Sequence, residues 1–314
     1  FPTPIEHLKN ITKYLGGPNI FIKRDDCTGL ATGGNKTRKL EFLIPDAIKN
    51  KAELVVTIGA VQSNHARQTA AACTLMGLKC LIILEQRLKD APESYMNSGN
   101  VFLDKLFGAE IRICPKDQNV IKFSEQIIND IKTKGTNVYF IPGGGSNPIG
   151  ALGYVECLNE IMKENSKYNF SQILHATGSS GTQAGLLAGK KYFNSDIPVT
   201  GICVRYKKEI QKNKVYEEAK KTCEKLKCNI LDKSDVIVYD DYIGSGYGEP
   251  TKGMIEATKL LAKKEAILLD PVYSGKGFAG LIDLIRKKKF TKKDNILFIH
   301  TGGAASLSAY EWAF

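Results

Sequence analysis

The sequence predicts an α/β protein of two lobes, each a largely parallel twisted sheet flanked by helices, with a cleft between them. Three observations predict it. Strand-like apolar runs alternate with helix-like segments along the whole chain. Those runs are mostly continuous rather than alternating, as in sheets covered on both faces. There are nine of them in 314 residues, many for one compact open sheet. In order, the candidate strands are Leu54–Ile58, Cys80–Leu84, Glu110–Ile113, Val138–Ile141, Ile173–Ala176, Val199–Val204, Val236–Tyr239, Ala266–Leu269 and Ile296–Ile299. Helical segments fall between them at Thr37–Lys49, His65–Met76, Val101–Phe107, Val120–Lys132, Ala151–Lys163, Thr182–Lys191, Lys252–Lys263 and Lys276–Lys288. A Gly/Pro-rich break from Ile141 to Gly150 is either a domain boundary or a site loop.

Composition narrows the function classes. Hydrophobic residues make up 43% and charged residues 25%, the usual mix of a folded globular chain. No apolar stretch approaches the ~18 residues of a membrane span, so no membrane role is expected. The net charge of +11 raises the question of nucleic acid. The lysines, however, lie in short clusters such as Lys287 to Lys289, mostly beside Asp or Glu and without interleaved aromatics. They read as solvated helix faces, and no nucleic-acid partner is expected. Eight scattered cysteines without a C-x-x-C pair, and four dispersed histidines, argue for free thiols and against a bound metal. That cysteine usage points to an intracellular protein, cytoplasmic or organellar; residue 1 is Phe, so a presequence could have been trimmed.

Four segments carry chemistry. In ATGGNKTRKLEF (Ala31 to Phe42), two glycines lead into Lys36 at a helix start, where the dipole disfavours an ammonium and favours a neutral, nucleophilic amine. The bland alternative is a turn before an exposed basic helix. A P-loop reading fails because Asn35 puts the spacing off by one and no strong strand precedes it. In QSNHARQTAAAC (Gln62 to Cys73), good N-cap residues at Ser63 and Asn64 open a helix whose free N–H groups suit a carboxylate. Gln62, Ser63, Asn64 and His65 together exceed what one cap needs. In ILHATGSSGTQAG (Ile173 to Gly185), a strand runs into a Gly/Ser/Thr loop and a helix, the layout of a phosphate cradle; a plain structural turn is the alternative. Near the C-terminus, DPVYSGKG (Asp270 to Gly277), FIHTGG (Phe298 to Gly303) and GSGYGEPT (Gly244 to Thr251) place Tyr273, Thr301 and Tyr247 in loops of the kind that line α/β sites.

A reactive lysine, a phosphate cradle and a carboxylate-binding helix start, with no metal, suggest pyridoxal 5′-phosphate (PLP) chemistry. With GGNKTRKLE, QSNHARQTAA, TGSSGTQAG and DPVYSGKG in that order, the chain resembles the D-cysteine desulfhydrase / 1-aminocyclopropane-1-carboxylate (ACC) deaminase family. These are tryptophan-synthase-β-like, fold type II PLP enzymes. The resemblance runs from Thr3 to Gly303. It implies a two-lobed fold with the cofactor in the cleft, a larger cofactor-binding domain of residues 1–42 plus 151–314, and a smaller domain of 43–150.

By the same resemblance, Lys36 is the Schiff-base lysine that also moves the substrate α-proton, and Asn64 bonds the pyridoxal ring hydroxyl. Lys39, Thr177, Gly178, Ser179, Gly181 and Thr182 hold the phosphate. Ser63, Asn64 and His65 take the amino-acid substrate's carboxylate, Ser63 also acting in catalysis. Tyr247 and Tyr273 face the substrate as catalytic groups, and Thr301 stands at the pyridine nitrogen. The family's deaminases carry Glu where this chain has Ser274 and Leu where it has Thr301. That difference points to α,β-elimination of D-cysteine, with ACC deamination or lysis of a related amino acid such as cysteate as alternatives. A non-catalytic anion-binding protein is the distant one. The family is commonly dimeric, so a homodimer is expected.

Overall fold

The computed structural model describes residues 1–88 and 90–314. Its strands in chain order are β1 (Ile5–His7), β2 (Asn19–Lys23), β3 (Leu54–Ala60), β4 (Lys79–Glu85), β5 (Glu110–Ile113), β6 (Val138–Ile141), β7 (Gln172–Thr177), β8 (Val199–Cys203), β9 (Ile237–Tyr239) and β10 (Asn295–Ile299). They form two sheets. One has six strands in the order β1-β2-β10-β7-β8-β9, parallel except for the edge strand β1; the other has four parallel strands in the order β5-β4-β3-β6.

Both faces of each sheet are covered, which is why the strands read as unbroken apolar runs. Along β10, Leu297 and Ile299 enter one core with Tyr154, Leu158, Leu187 and Val215 of the helices Pro148–Tyr168, Gly181–Phe193 and Lys208–Leu226. The intervening Ile296 and Phe298 enter another with Leu261, Phe278 and Ile282 of the helices Lys252–Glu265 and Ser274–Arg286. The four-stranded sheet repeats the arrangement. Val55 and Ile82 pack towards the helices Lys36–Lys49 and Asn64–Leu75, while Val56 and Leu81 pack towards Val120–Thr133.

Three differences from the sequence reading have physical causes. Ala266–Leu269 is not a strand: Ala266 caps the preceding helix in the left-handed region (φ 55), and both edges of β10 are already taken by β2 and β7. The strand β2, unforeseen because its apolar stretch is only three residues long and runs straight into Lys23, Arg24, Asp25 and Asp26, fills one of those edges. The helix Lys208–Leu226 also went unread; its inward stripe of Gln211, Val215, Ala219, Thr222 and Cys223 is too narrow to show among its lysines. Among the described residues, no helix is long and apolar enough to cross a membrane.

Candidate active site

The site lies where β3, β7 and β10 end at their carboxyl edges, the place where open α/β sheets bind ligands. An inner cavity is lined by Asn35, Lys36, Asn64, His65, Thr177, Gly178, Ser179, Ser180, Thr182, Tyr273 and Thr301, among others. It opens into a cleft of about 700 Å³ bearing Ser63, Arg87, Arg205 and Tyr247.

Lys36 is delivered by a tightly wound turn. Ala31, Thr32, Gly33 and Gly34 all have positive φ, and a Cβ on Gly33 would run into the Asp26 carbonyl. The second motif holds this turn in place. Arg67 donates to Thr32 Oγ1 (2.8 Å) and to the Gly33 carbonyl (2.9 Å), while Gln68 Oε1 accepts from the Thr37 N–H (2.9 Å) and hydroxyl (3.0 Å). The sequence reading missed both roles, although Arg67 and Gln68 recur one turn after the cap, on the face that meets Lys36.

Burial brings the Lys36 ammonium down to about 8, against the smaller upward pulls of Lys39 and Asp270. Lys39, one turn on and fully buried, is depressed further, first by burial and then by the charge of Lys36. Its Nζ donates to the Gly144 carbonyl (3.0 Å). Among the described residues no carboxylate forms an ion pair with it. A Cβ on Gly181 would come within 3.0 Å of that Nζ.

The loop from Thr177 to Thr182 assembles around the same amine. Ser180 takes φ +93 at the start of the helix Gly181–Phe193, Ser146 Oγ accepts from the Gly181 N–H (3.1 Å) and donates to Ser179 Oγ (2.9 Å), and Asn35 donates to Thr182 Oγ1 (3.1 Å). A Cβ on Gly144 would strike Ser179, so the Gly/Pro-rich segment around it is a site loop. Thr177 Oγ1 is engaged by Gln211 (3.0 Å) from the lysine-rich helix.

Ser63 Oγ caps the helix Asn64–Leu75 by accepting from the Ala66 N–H (3.1 Å). The His65 ring is tied beneath it. The Thr57 hydroxyl gives its one hydrogen to the Ile141 carbonyl (2.8 Å) and so accepts from His65 Nε2–H (2.8 Å), leaving Nδ1 as a buried lone pair. Burial and two neighbouring amines keep this imidazole neutral. What His65 offers a carboxylate is therefore its main-chain N–H, not its ring. Gln62 points away and spends its amide on Tyr95, Ser98 and Asn100.

The Tyr247 and Tyr273 hydroxyls are hydrogen-bonded to each other, with the Tyr273 phenol pushed up by burial and by Tyr247. Arg87 and Arg205 both lie over the Tyr247 ring, at 4.9 and 5.8 Å. Two further residues set the pair. Asp270 accepts from the N–H groups of Val272, Tyr273 and Ser274, and buried Lys276 donates to the carbonyls of Ile243 (2.6 Å) and Gly246 (3.1 Å), just before Tyr247. The Ser274 hydroxyl donates to Asp270 (2.7 Å) and does not line the cavity; Thr301 does.

Residues 1–302 match the family of pyridoxal-phosphate-dependent enzymes. A solved structure described as an ACC deaminase homologue is 39% identical, with a TM-score of 0.90 over 99% of this chain and 92% of its own. A hydrogen-sulfide-producing enzyme from Fusobacterium nucleatum is 16% identical, with a TM-score of 0.67 over 96% of this chain and 95% of its own. The processed form of threonine deaminase isoform 2 from Solanum lycopersicum is 15% identical, with a TM-score of 0.68 over 100% and 87%. The last two are alike in fold.

Proposed function

The chain belongs to the pyridoxal-phosphate-dependent enzymes, with the fold type II architecture, and on that premise we propose that it eliminates hydrogen sulfide from D-cysteine. The residues present fit the cofactor. Two buried amines with no carboxylate paired to them, beside a helix start crowded by glycines, are a site short of an anion that a phosphate supplies. Lys39, Ser179, Gly181 and Thr182 would hold that phosphate, Asn64 the ring hydroxyl, and Thr301 the ring nitrogen.

When bound, PLP supplies an electron sink for the charge left at Cα. The rest falls to this chain. Ser63 and the free N–H groups of Asn64 and His65 orient the substrate carboxylate. Lys36, a weak base in its buried setting, takes the α-proton. The tyrosine pair, with the Tyr273 phenol held protonated by burial, gives a proton to the departing sulfur. The C–S electron pair leaves with that sulfur, and the free 2-aminoacrylate adds water to give pyruvate and ammonia.

The observation that carries the desulfhydrase reading is the absence of any carboxylate among the described residues lining the inner cavity. Thr301, offering a hydroxyl and not a carboxylate, would leave the ring nitrogen less firmly protonated and the sink weaker. That suffices when thiolate leaves. The 39% identity to an ACC deaminase homologue favours a second reading, ACC deamination. The handedness of the substrate rests on the family resemblance, as does a homodimeric assembly. The test is to assay the PLP-loaded protein on D-cysteine, L-cysteine and ACC, following sulfide, pyruvate and 2-oxobutyrate separately. Sulfide and pyruvate from D-cysteine alone are expected, and both should vanish in Lys36→Ala. Substantial 2-oxobutyrate from ACC would move the protein to the second reading.

A further inference from the structure

We propose that Asn100 is a positioning residue that sets the polarity of the Asn64 amide, so that Asn64 turns its NH2 group and not its carbonyl towards the cofactor's ring hydroxyl. The inference rests on the role given to Asn64 above and goes beyond it. A side-chain amide has a donating and an accepting end, and the partner of one end decides what the other presents.

Here each orientation is anchored in main chain, whose polarity is not in question. Gln62 Nε2 donates to the carbonyls of Tyr95 (2.6 Å) and Ser98 (2.9 Å). Its Oε1 must then face a donor, and it accepts from the Asn100 N–H (2.9 Å). That contact pins the first turn of the helix Gly99–Leu106. Asn100 Nδ2 lies 3.3 Å from the Gln62 carbonyl, which can only accept, so nitrogen stands at this end of the Asn100 side chain. The same Nδ2 donates to Asn64 Oδ1 (2.9 Å). With its oxygen taken, Asn64 carries its nitrogen on the opposite side, against Gly303.

A Cβ on Gly303 would lie 2.5 Å from that nitrogen, and the backbone there has φ +104, so glycine keeps the amide's path to the cavity open. Asn100 is fully buried and lines neither cavity, so it acts on the cofactor only through Asn64. A donor facing the ring oxygen favours its ionised form; an acceptor there would force it to keep its proton.

Asn100→Asp separates this role from a merely structural one, because its carboxyl changes polarity with pH. The charged groups around it are Asp104 on the same helix, Arg67 facing Asp104, and Asp270 beside Gly303. Protonated, the new carboxyl donates to Asn64 as the native amide does. Ionised, it only accepts, and Asn64 must turn over. In the PLP-loaded variant the visible absorption should match wild type at low pH and move towards the near-ultraviolet as pH rises, a transition wild type lacks. Fluorescence titration of the cofactor-stripped variant should show binding weakened roughly ten- to a hundredfold at the high-pH end, the worth of a hydrogen bond to a charged group.

A wild-type spectrum and affinity across that range would overturn the proposal. Should Asn100→Asp fail to fold, Asn100→Ala and Asn64→Ala are measured singly and together for cofactor affinity. Loss in the double variant no greater than in Asn64→Ala alone is expected, and additive losses would overturn the proposal. These readouts concern cofactor binding, so a protein inactive on D-cysteine would sink the desulfhydrase reading without touching them.

Discussion

Replacing Lys39 with Met should make the cofactor-free protein more stable and the cofactor-bound protein weaker, and the opposite signs follow from one geometry. Lys39 is fully buried, its Nζ bonded to the Gly144 carbonyl at 3.0 Å and its pKa lowered further by the charge of the neighbouring Lys36 amine. Without an anion that amine is a desolvated group beside a like charge. Replacing even a buried ion pair by apolar side chains of similar volume is often neutral or stabilising by about 1–4 kcal/mol, and an amine with no paired carboxylate has less to lose. The lost neutral-type hydrogen bond costs about 1 kcal/mol. A gain of up to about 3 kcal/mol remains, a rise of up to several degrees in Tm for a chain of this size.

The pH dependence has a definite sign. Both amines titrate lower in the folded protein than in the unfolded chain, Lys36 at about 8 against 10.5. Between those values the unfolded chain binds more protons, so stability of the cofactor-free protein rises with pH across about 8 to 10.5. Lys39→Met should flatten that rise. With PLP bound, the variant forgoes a charge-assisted bond to phosphate worth about 1.5–3 kcal/mol, so affinity should fall roughly ten- to a hundredfold. Thermal melts of the stripped protein and fluorescence titrations with PLP and with pyridoxal, which lacks the phosphate, make the assay. A stripped variant that melts several degrees lower, with PLP affinity intact, would show Lys39 to be a core strut, and the electrostatic reasoning would fail.

Lys276→Met should cut kcat at least tenfold while moving Tm only a few degrees. Two charge-assisted bonds of about 1.5–3 kcal/mol each are largely offset by about 3 kcal/mol for holding an ammonium whose pKa burial pulls to about 8; a large Tm loss with normal kcat would contradict this. Arg38→Met should cost about 3–5 kcal/mol in urea unfolding, because it takes from the fully buried Asp25 its ion-pair partner at 2.8 Å and leaves Glu160, also at 2.8 Å, with Lys23 alone; a change under about 1 kcal/mol would refute it. Asp104, buried with both oxygens unpartnered, is raised to about 8, so the folded protein holds its proton longer and stability falls as pH climbs from about 4 to 8. Asp104→Asn should remove that fall and raise Tm at pH 8; an unchanged pH profile of Tm would count against it.

The parts of the molecule that announce themselves in the sequence are those whose backbone needs particular residues. GGNK is legible because a run of positive φ values through Gly33 and Gly34 precedes Lys36, and TGSSGT because the helix start at Gly181 packs against Ser146 and Lys39 Nζ with no room for a Cβ. The strands with both faces buried are legible as apolar runs. What stayed hidden acts through side-chain amides and guanidiniums at long sequence separation. Arg67 bonds 34 and 35 residues back to hold the lysine turn, Gln211 reaches 34 residues back to Thr177, and Lys276 reaches 33 and 30 residues back to the Tyr247 loop. None of these has a local pattern, since any polar residue on a buried helix face looks alike in sequence.

Ser274 and Thr301, paired in the sequence reading, divide in space. Both differ from the deaminase pattern, yet only Thr301 lines the cavity. Ser274 accepts from the Asp270 N–H and donates to the Asp270 carboxylate, whose other oxygen holds the Tyr273 N–H at 3.0 Å. A glutamate at position 274 would have no hydroxyl to give Asp270 and would set a second carboxylate beside a fully buried one, so that the two must share a proton. Its influence on the reaction would therefore pass through the turn that seats Tyr273 as well as through any charge it brings. Thr301, with its hydroxyl on the cavity wall and its carbonyl accepting from the Asn35 N–H at 3.1 Å, acts on the site directly. Of the two positions, 301 alone can be exchanged without rebuilding the scaffold beneath the tyrosines.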